Sequence, residues 1–242
     1  MLELDTSRPP PDADHRAKAS VTAERNAQEL RRRAGSNWVW VPIRSLAPRH
    51  RPKIALHLLS LNVSDRYLRF GYAASDGQIT RYVDLLDFDR DEVFGIFNRR
   101  LELVAVAHLA HQVESDKPAS EFGVSVLAKA RGRGFGHRLF EHAMLHARNR
   151  GVKRLFIHAL SENNAMLKIA RDSGATVERF GAETQALLHL PPDTIASRVG
   201  EMVEQHAAEI DYQIKLHARQ TGEGDSDDAP DVVPIDSRFS AD

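Results

Sequence analysis

The residues with the clearest chemical potential are Arg131-Gly132-Arg133-Gly134-Phe135-Gly136-His137, which lead directly into a segment of helical spacing that closes at Gly151. A glycine-rich loop that opens a helix aims several free backbone N–H groups at one point, and the positive end of the helix dipole adds to them. Gly134 and Gly136 let the backbone approach a ligand with no Cβ in the way. Arg131 and Arg133 can add charge-assisted hydrogen bonds to phosphate oxygens. As chemistry, this is a cradle for a diphosphate. Three other readings compete. A dinucleotide fingerprint requires G-x-G-x-x-G, whereas Gly132, Gly134 and Gly136 are spaced two apart and the strand before them follows a hairpin. A P-loop requires Lys-Ser/Thr after its last glycine, and here His137-Arg138 follows Gly136. The third is a flexible turn with surface arginines, and on this stretch alone the turn and the cradle both stand.

Other constellations offer less. His142 and His146 lie four apart on the following helix, without the glutamate of an H-E-x-x-H pattern or a third ligand, so a solvated helix face is expected rather than a metal pair. His108 and His111 are three apart on a strand and therefore face opposite ways. Ser-His-Asp chemistry has no G-x-S-x-G to start from. The chain contains no cysteine, which excludes disulfides, a thiolate nucleophile and cysteine-ligated metal.

With 242 residues, 42% apolar and 28% charged, the composition suits one packed domain with extensions. A net charge of −1 gives no overall field toward nucleic acid or an acidic membrane, and neither is expected as a partner. The amino-terminal residues lack a basic-then-apolar signal pattern and no apolar run approaches a bilayer span, so a cytoplasmic protein is expected.

The elements that must position the loop follow from periodicity and punctuation. Residues 1–36, polar and with Pro9 to Pro11 and Arg31 to Arg33, read as a disordered or partly helical arm. Residues 38–46 are strand-like, 53–61 and 76–87 have helical spacing, and SDRYLRF lies between those two. Strands at 92–97 and 101–110 form an antiparallel hairpin around Asn98 to Arg100, and 121–128 is a further strand. After the loop and its helix come a strand at 154–160, a helix at 162–174, and a hairpin of TVERFG and TQALLHL about Gly181-Ala182. Residues 192–220 carry Ile195, Val199, Val203, Ala207, Ile210 and Ile214 at helical spacing, an amphipathic helix docked on the domain or on a second copy. The acidic, apolar-poor residues 221–242 read as a disordered tail. The order is that of a single α/β domain over residues 37–191.

The segment from Ala119 to Ala175, about 55 residues, resembles the core of the GCN5-related N-acetyltransferase (GNAT) superfamily, and the element order extends the resemblance to roughly residues 38–190. The family signature Gln/Arg-x-x-Gly-x-Gly/Ala is matched by Arg131, Gly134 and Gly136, and the family's asparagine eleven residues before a glycine by Asn163 and Gly174. SDRYLRF, with Tyr67, Arg69 and Phe70, is similar to the acetyltransferase module of bacterial protein-lysine acetyltransferases. The resemblance implies a GNAT fold: a central mixed, mostly antiparallel sheet of about seven strands, flanking helices and a carboxy-terminal helical extension.

It further implies acetyl-CoA as cosubstrate, no metal, and direct transfer of the acetyl group to a primary amine of a protein lysine or a small molecule. The pyrophosphate would meet the backbone amides of Gly132, Arg133, Gly134, Phe135, Gly136 and His137, with Arg131 at the signature position. The exposed backbone of Val124, Ser125 and Val126 would pair with the pantetheine arm, and Asn163 would touch it. The oxyanion donor would be a backbone N–H near Val126 or Leu127. Glu121 is the first choice as general base, on one strand face with Gly123 and Ser125; His158 is the second. Ala170 stands where many members carry a tyrosine that protonates the leaving thiolate, leaving Tyr212, Tyr72, a water or no acid at all. Because of Ala170, the alternative function is a non-catalytic acyl-CoA-binding regulatory protein, with a homodimer formed through the carboxy-terminal helix.

Overall fold

The computed structural model describes residues 41–112, 118–193 and 195–221. The chain divides into two units, and all described residues fall in the second, Val41–Asp231. The expected arm (1–36), Trp38 to Trp40 of the first predicted strand, and residues 222–242 of the tail lie outside the described residues.

Seven strands form one sheet: β1 (Arg44–Ser45), β2 (Glu92–Phe97), β3 (Leu103–His111), β4 (Ala119–Val126), β5 (Arg154–Leu160), β6 (Thr176–Phe180) and β7 (Glu183–His189), in the order β1-β2-β3-β4-β5-β7-β6. Every neighbouring pair is antiparallel except β4–β5. Of the strand expected at 38–46, the described part keeps only Arg44 and Ser45 in the sheet. The hairpin between β2 and β3 turns through Leu101, which adopts φ 57° while its side chain is buried. Such a backbone is rare outside glycine, and burial of the leucine holds it there.

Helices cover both faces, which is why β2 and β3 are buried along nearly their whole length. On one face lie α1 (Arg51–Leu59), α2 (Val63–Phe70) and α3 (Asp76–Asp84); on the other, α4 (Phe135–Asn149) and α5 (Asn164–Asp172). SDRYLRF is therefore a helix in its own right. Its start is fixed by Asn62, whose side chain accepts from Asp65 N–H at 2.8 Å, and its end by Gly71 at φ 80°. Ile54, Leu58, Ile79, Val83, Leu103 and Val106 form the first core layer. Phe94, Phe122, Leu139, Phe140, Leu155 and Leu167 fill the second. Phe122 and Phe140 meet edge to face at 5.0 Å, both fully buried. Phe140→Ala should therefore cost about 3–5 kcal/mol of stability in urea titration, the usual range for an unfilled aromatic cavity.

The last helix, α6 (Ile195–Thr221), docks beside β1 and α4. Glu209 pairs with Arg44 at 2.8 Å, the Arg44 guanidinium lies 3.7 Å above the Tyr212 ring, and buried Lys215 pairs with Asp211 at 2.8 Å. Among the described residues no helix is long and apolar enough to cross a membrane.

Candidate functional site

Strands β4 and β5 pair in parallel only from Ala119 to Glu121 against Arg154 to Phe156. Beyond that point β5 pairs with β7 alone and β4 with β3 alone, so a wedge opens between them. Backbone groups alternate sides along a strand. Leu127 N–H and Ala119 C=O both bond toward β3, at 3.0 Å each, so odd-numbered residues of β4 face β3 and even-numbered ones face the wedge. Val124 and Val126 thus present backbone to the opening, with Val126 C=O taken by Arg131 Nε at 3.3 Å. Ser125 does not: its backbone faces β3 and its buried Oγ lies 2.8 Å from His57 Nε2. Leu127 N–H is already used by Val104 C=O, which leaves Val126 N–H as the free one of the two expected oxyanion donors.

At the open end of the wedge the glycine-rich loop enters α4. Gly132 and Gly134 adopt φ 78° and 75°, a conformation that side chains with a Cβ resist, and Gly134 is the N-cap of α4. Gly136 serves packing: a Cβ there would sit 3.3 Å from Ile169 on α5. The first main-chain bond of the helix is Arg138 N–H to Gly134 C=O at 3.1 Å, and no side chain caps α4. Among the described residues the N–H groups from Gly132 to His137 have no partner and converge at the wedge. Phe135 contributes only backbone, since its ring is in the core, and the His137 ring pairs with Glu141 at 3.3 Å.

The two arginines differ. Arg131 folds back onto the carboxylate of buried Asp65 on α2 and so closes the loop against that helix. Arg133 is exposed and, among the described residues, without a side-chain partner, so it is the guanidinium available to an anion. Asn163 caps α5, accepting from Met166 N–H at 3.1 Å, and its amide donates to Leu68 C=O at 3.3 Å. It thus ties α5 to α2 across the wedge.

Where β4 and β5 part, the two predicted catalytic residues meet. His158 Nδ1 lies 3.2 Å from Glu121 Oε1, with both side chains half-exposed. Gln185 on β7 holds the other ring nitrogen at 3.2 Å. A Gln185 amide donating to Nε2 leaves Nδ1–H to donate to the carboxylate. Ala170 is fully buried in the second core layer. Tyr212 packs on Phe97 and Arg44 at the β1–β2 edge, away from the wedge, whereas Tyr72 is about half exposed just beyond α2.

A second group shares this face, and its assembly is not visible in the sequence. Arg69 at the end of α2 lies over Gly123, where a Cβ would come within 2.9 Å of its guanidinium carbon. Arg69 Nη2 donates to Tyr82 Oη at 2.9 Å, Tyr82 Oη lies 2.8 Å from His108 Nδ1, and His108 Nε2 is 3.1 Å from Asp91 Oδ2. Asp91 is buried and held by Arg90 at 2.7 and 2.9 Å. Burial and the field of Arg69 lower the His108 pKa, against the raising effect of Asp91. The neutral ring then accepts from the phenol and donates to the carboxylate. The residues come from four separate segments, and only their alternation toward one sheet face hints at a shared site.

His142 and His146 are not on a solvated face. Both are buried against Phe94, at 4.8 and 4.7 Å between centroids, because β2 and α6 cover that side of α4. His146 Nδ1 lies 3.1 Å from Glu201 of α6 and 3.3 Å from Glu92. Among the described residues no group of His, Cys, Asp and Glu could hold a metal.

Burial also lowers the pKa of His57 and His50, each to about 4. His57 is locked between Leu103 C=O at 2.7 Å and Ser125 Oγ. A histidine depressed in the folded state binds its proton first in the unfolded chain. Stability therefore falls as pH drops from about 6.5 toward 4. Thermal melts across that interval should show a falling Tm, and His57→Gln should flatten the slope.

The acetyltransferase (GNAT) family model matches residues 62–175, from the cap of α2 to the end of the α5 region. Among solved structures, the GNAT domain of S. lividans PAT superposes with a TM-score of 0.52 at 22% identity, covering 61% of this chain and 89% of that one. RimL, a ribosomal L7/L12 α-N-protein acetyltransferase solved with coenzyme A, gives 0.49 at 18% identity over 65% of this chain and 99% of that one. Strands β2 to β5, the parallel pair that parts into a wedge, and the signature loop at its mouth all lie in the matched part of the chain, and residues 62–175 are thereby those of a GNAT-family acetyltransferase core.

Proposed function

We propose that the protein is an acetyl-CoA-dependent N-acetyltransferase acting on a primary amine. The observation that carries this is the coincidence, in one wedge, of unpaired N–H groups at one end and the Glu121–His158 pair at the other. Acetyl-CoA would bring an acyl carbon activated by its thioester. The Gly132–His137 amides and Arg133 bind its diphosphate, and Arg131 keeps the loop closed on Asp65. Val124 and Val126 offer strand-like backbone to the pantetheine arm, as an added strand would use it. Val126 N–H is the donor suited to the charge that develops on the carbonyl oxygen.

An ammonium does not attack a carbonyl, so the acceptor must first lose a proton. Glu121 is the base, and His158, held by Gln185, orients its carboxylate. Ala170 offers no proton for the departing thiolate, and water at the open wedge supplies it. The acetyl acceptor is a protein lysine or a small amine. Binding of acetyl-CoA by calorimetry, with CoA released only when an amine is present, tests the assignment; binding without release across amines and lysine peptides would oppose it. For the expected homodimer, the face available on α6 carries exposed Met202, Val203, Ile210 and Ile214. Sedimentation equilibrium of the full chain against an Ile210→Glu, Ile214→Glu variant decides that point.

A further inference from the structure

We propose that Arg69 is an acceptor-binding cation and that the acceptor is an amino acid, its carboxylate paired with Arg69 and its amino group presented to Glu121. The inference rests on the acetyltransfer reading above and deepens it to a substrate class.

Arg69 is partly buried over β4, and its hydrogen-bond partner is a neutral phenol, Tyr82, at 2.9 Å. Among the described residues no carboxylate pairs with it, whereas Arg44, Arg66, Arg90 and Arg131 each have one. A cation taken partly out of water and left without a counter-ion is costly unless a ligand supplies one. Its placement is nonetheless strongly specified. Tyr82, His108 and Asp91 form a directed chain behind it, and residue 123 is a glycine at the point where any Cβ would collide with it. The relay fixes one edge of the guanidinium and leaves the rest of the fork unengaged by any carboxylate.

The ligand's geometry follows from the strand. Glu121 and Gly123 share a face of β4 and are two residues apart, about 6–7 Å along a strand. A carboxylate rooted at residue 121 and a guanidinium lying over residue 123 can bracket a zwitterion whose amine and carboxylate hang from one carbon. The amine approaches Glu121, where it must be deprotonated, and the carboxylate reaches Arg69 as a charge-assisted pair. A polyamine, or a lysine set among basic residues, would instead meet a fixed positive charge beside its amine. The transfer itself balances as any amide formation does: the N–C bond forms, the C–S bond breaks, the amine proton passes to Glu121 and CoA leaves as thiolate.

Steady-state kinetics at saturating acetyl-CoA with acceptor pairs that differ only in the carboxylate test this directly: leucine against isoamylamine, and phenylalanine against phenethylamine, with a lysine peptide blocked at both ends as contrast. The wild-type protein should favour the amino acid of each pair in kcat/KM by about 100-fold, the order expected for a desolvated charge pair. Arg69→Gln should bring that preference to within about 3-fold, mainly by raising KM for the amino acid, with Arg69→Lys retaining part of it. Gly123→Ala, which displaces the guanidinium, should give an intermediate preference. Equal or better turnover of the decarboxylated amines or the blocked peptide by wild type would overturn the proposal. So would an equal loss for both members of a pair in Arg69→Gln, which would assign Arg69 to a step common to all acceptors. If no acceptor releases CoA, the acetyltransfer reading fails instead. Calorimetric binding of leucine, and its loss in Arg69→Gln, then still decides between a carboxylate site and none.

Discussion

Glu121→Gln is expected to lower kcat by at least about 100-fold while leaving the dissociation constant for acetyl-CoA within about twofold, as befits loss of a general base. Glutamine is nearly isosteric with glutamate and can still accept from His158 Nδ1–H, so the local geometry persists and only the proton acceptor is lost. The glycine-rich loop proposed to hold the diphosphate begins at Arg131, beyond the far end of β4, and its N–H groups are untouched by the change. A fall in rate without a fall in affinity therefore separates chemistry from binding. An unchanged kcat would remove Glu121 from the reaction and leave water or another group as base.

The second large effect belongs to the loop. Gly134→Val places a β-branched side chain at φ 75°, where strain of about 1–3 kcal/mol is typical. The loop escapes that strain by turning its backbone, and the N–H groups on either side of the N-cap then no longer converge. The dissociation constant for acetyl-CoA should rise by about 10-fold or more, read by calorimetry, whereas kcat at saturation should change much less. Nothing lies within 4 Å of a Cβ at this position, so the effect comes from backbone conformation and not from a collision. An unaltered affinity would mean that the loop does not bind the diphosphate through its backbone.

Much of the architecture was legible because punctuation and periodicity agree along the chain. Gly151 and Gly174, at φ 78° and 81°, follow α4 and α5 where the sequence suggests they end, and β5 begins and ends as its apolar run does. SDRYLRF was harder: it is a two-turn helix without a long apolar stripe, and its signals are the capping residues Asn62 and Gly71 at its ends. His142 and His146 show the limit of one-helix reasoning. A polar-looking face of α4 is buried because β2 and α6, distant in sequence, lie across it.

In the site, the glycines of the loop and the places of Glu121 on β4 and His158 on β5 follow from local pattern. Side-chain partners do not. Arg131 fills the signature position yet spends its charge on Asp65, whereas Arg133 has no side-chain partner among the described residues. Ser125 lies on the wedge strand, yet its backbone faces β3 and its hydroxyl is engaged by His57 of α1. The Arg69–Tyr82–His108–Asp91 chain joins a helix end, a second helix, a strand and a turn. No one segment shows the chain, and only the fold makes its residues neighbours.

The central claim is that the wedge between β4 and β5 transfers an acetyl group to an amine. A thiol-release assay with acetyl-CoA against a panel of amino acids, small amines and lysine peptides, run on the wild-type protein beside Glu121→Gln, tests it most directly. The expected result is amine-dependent CoA release by wild type that falls by at least about 100-fold in the variant. Acetyl-CoA binding with no amine-dependent release by wild type would contradict the account.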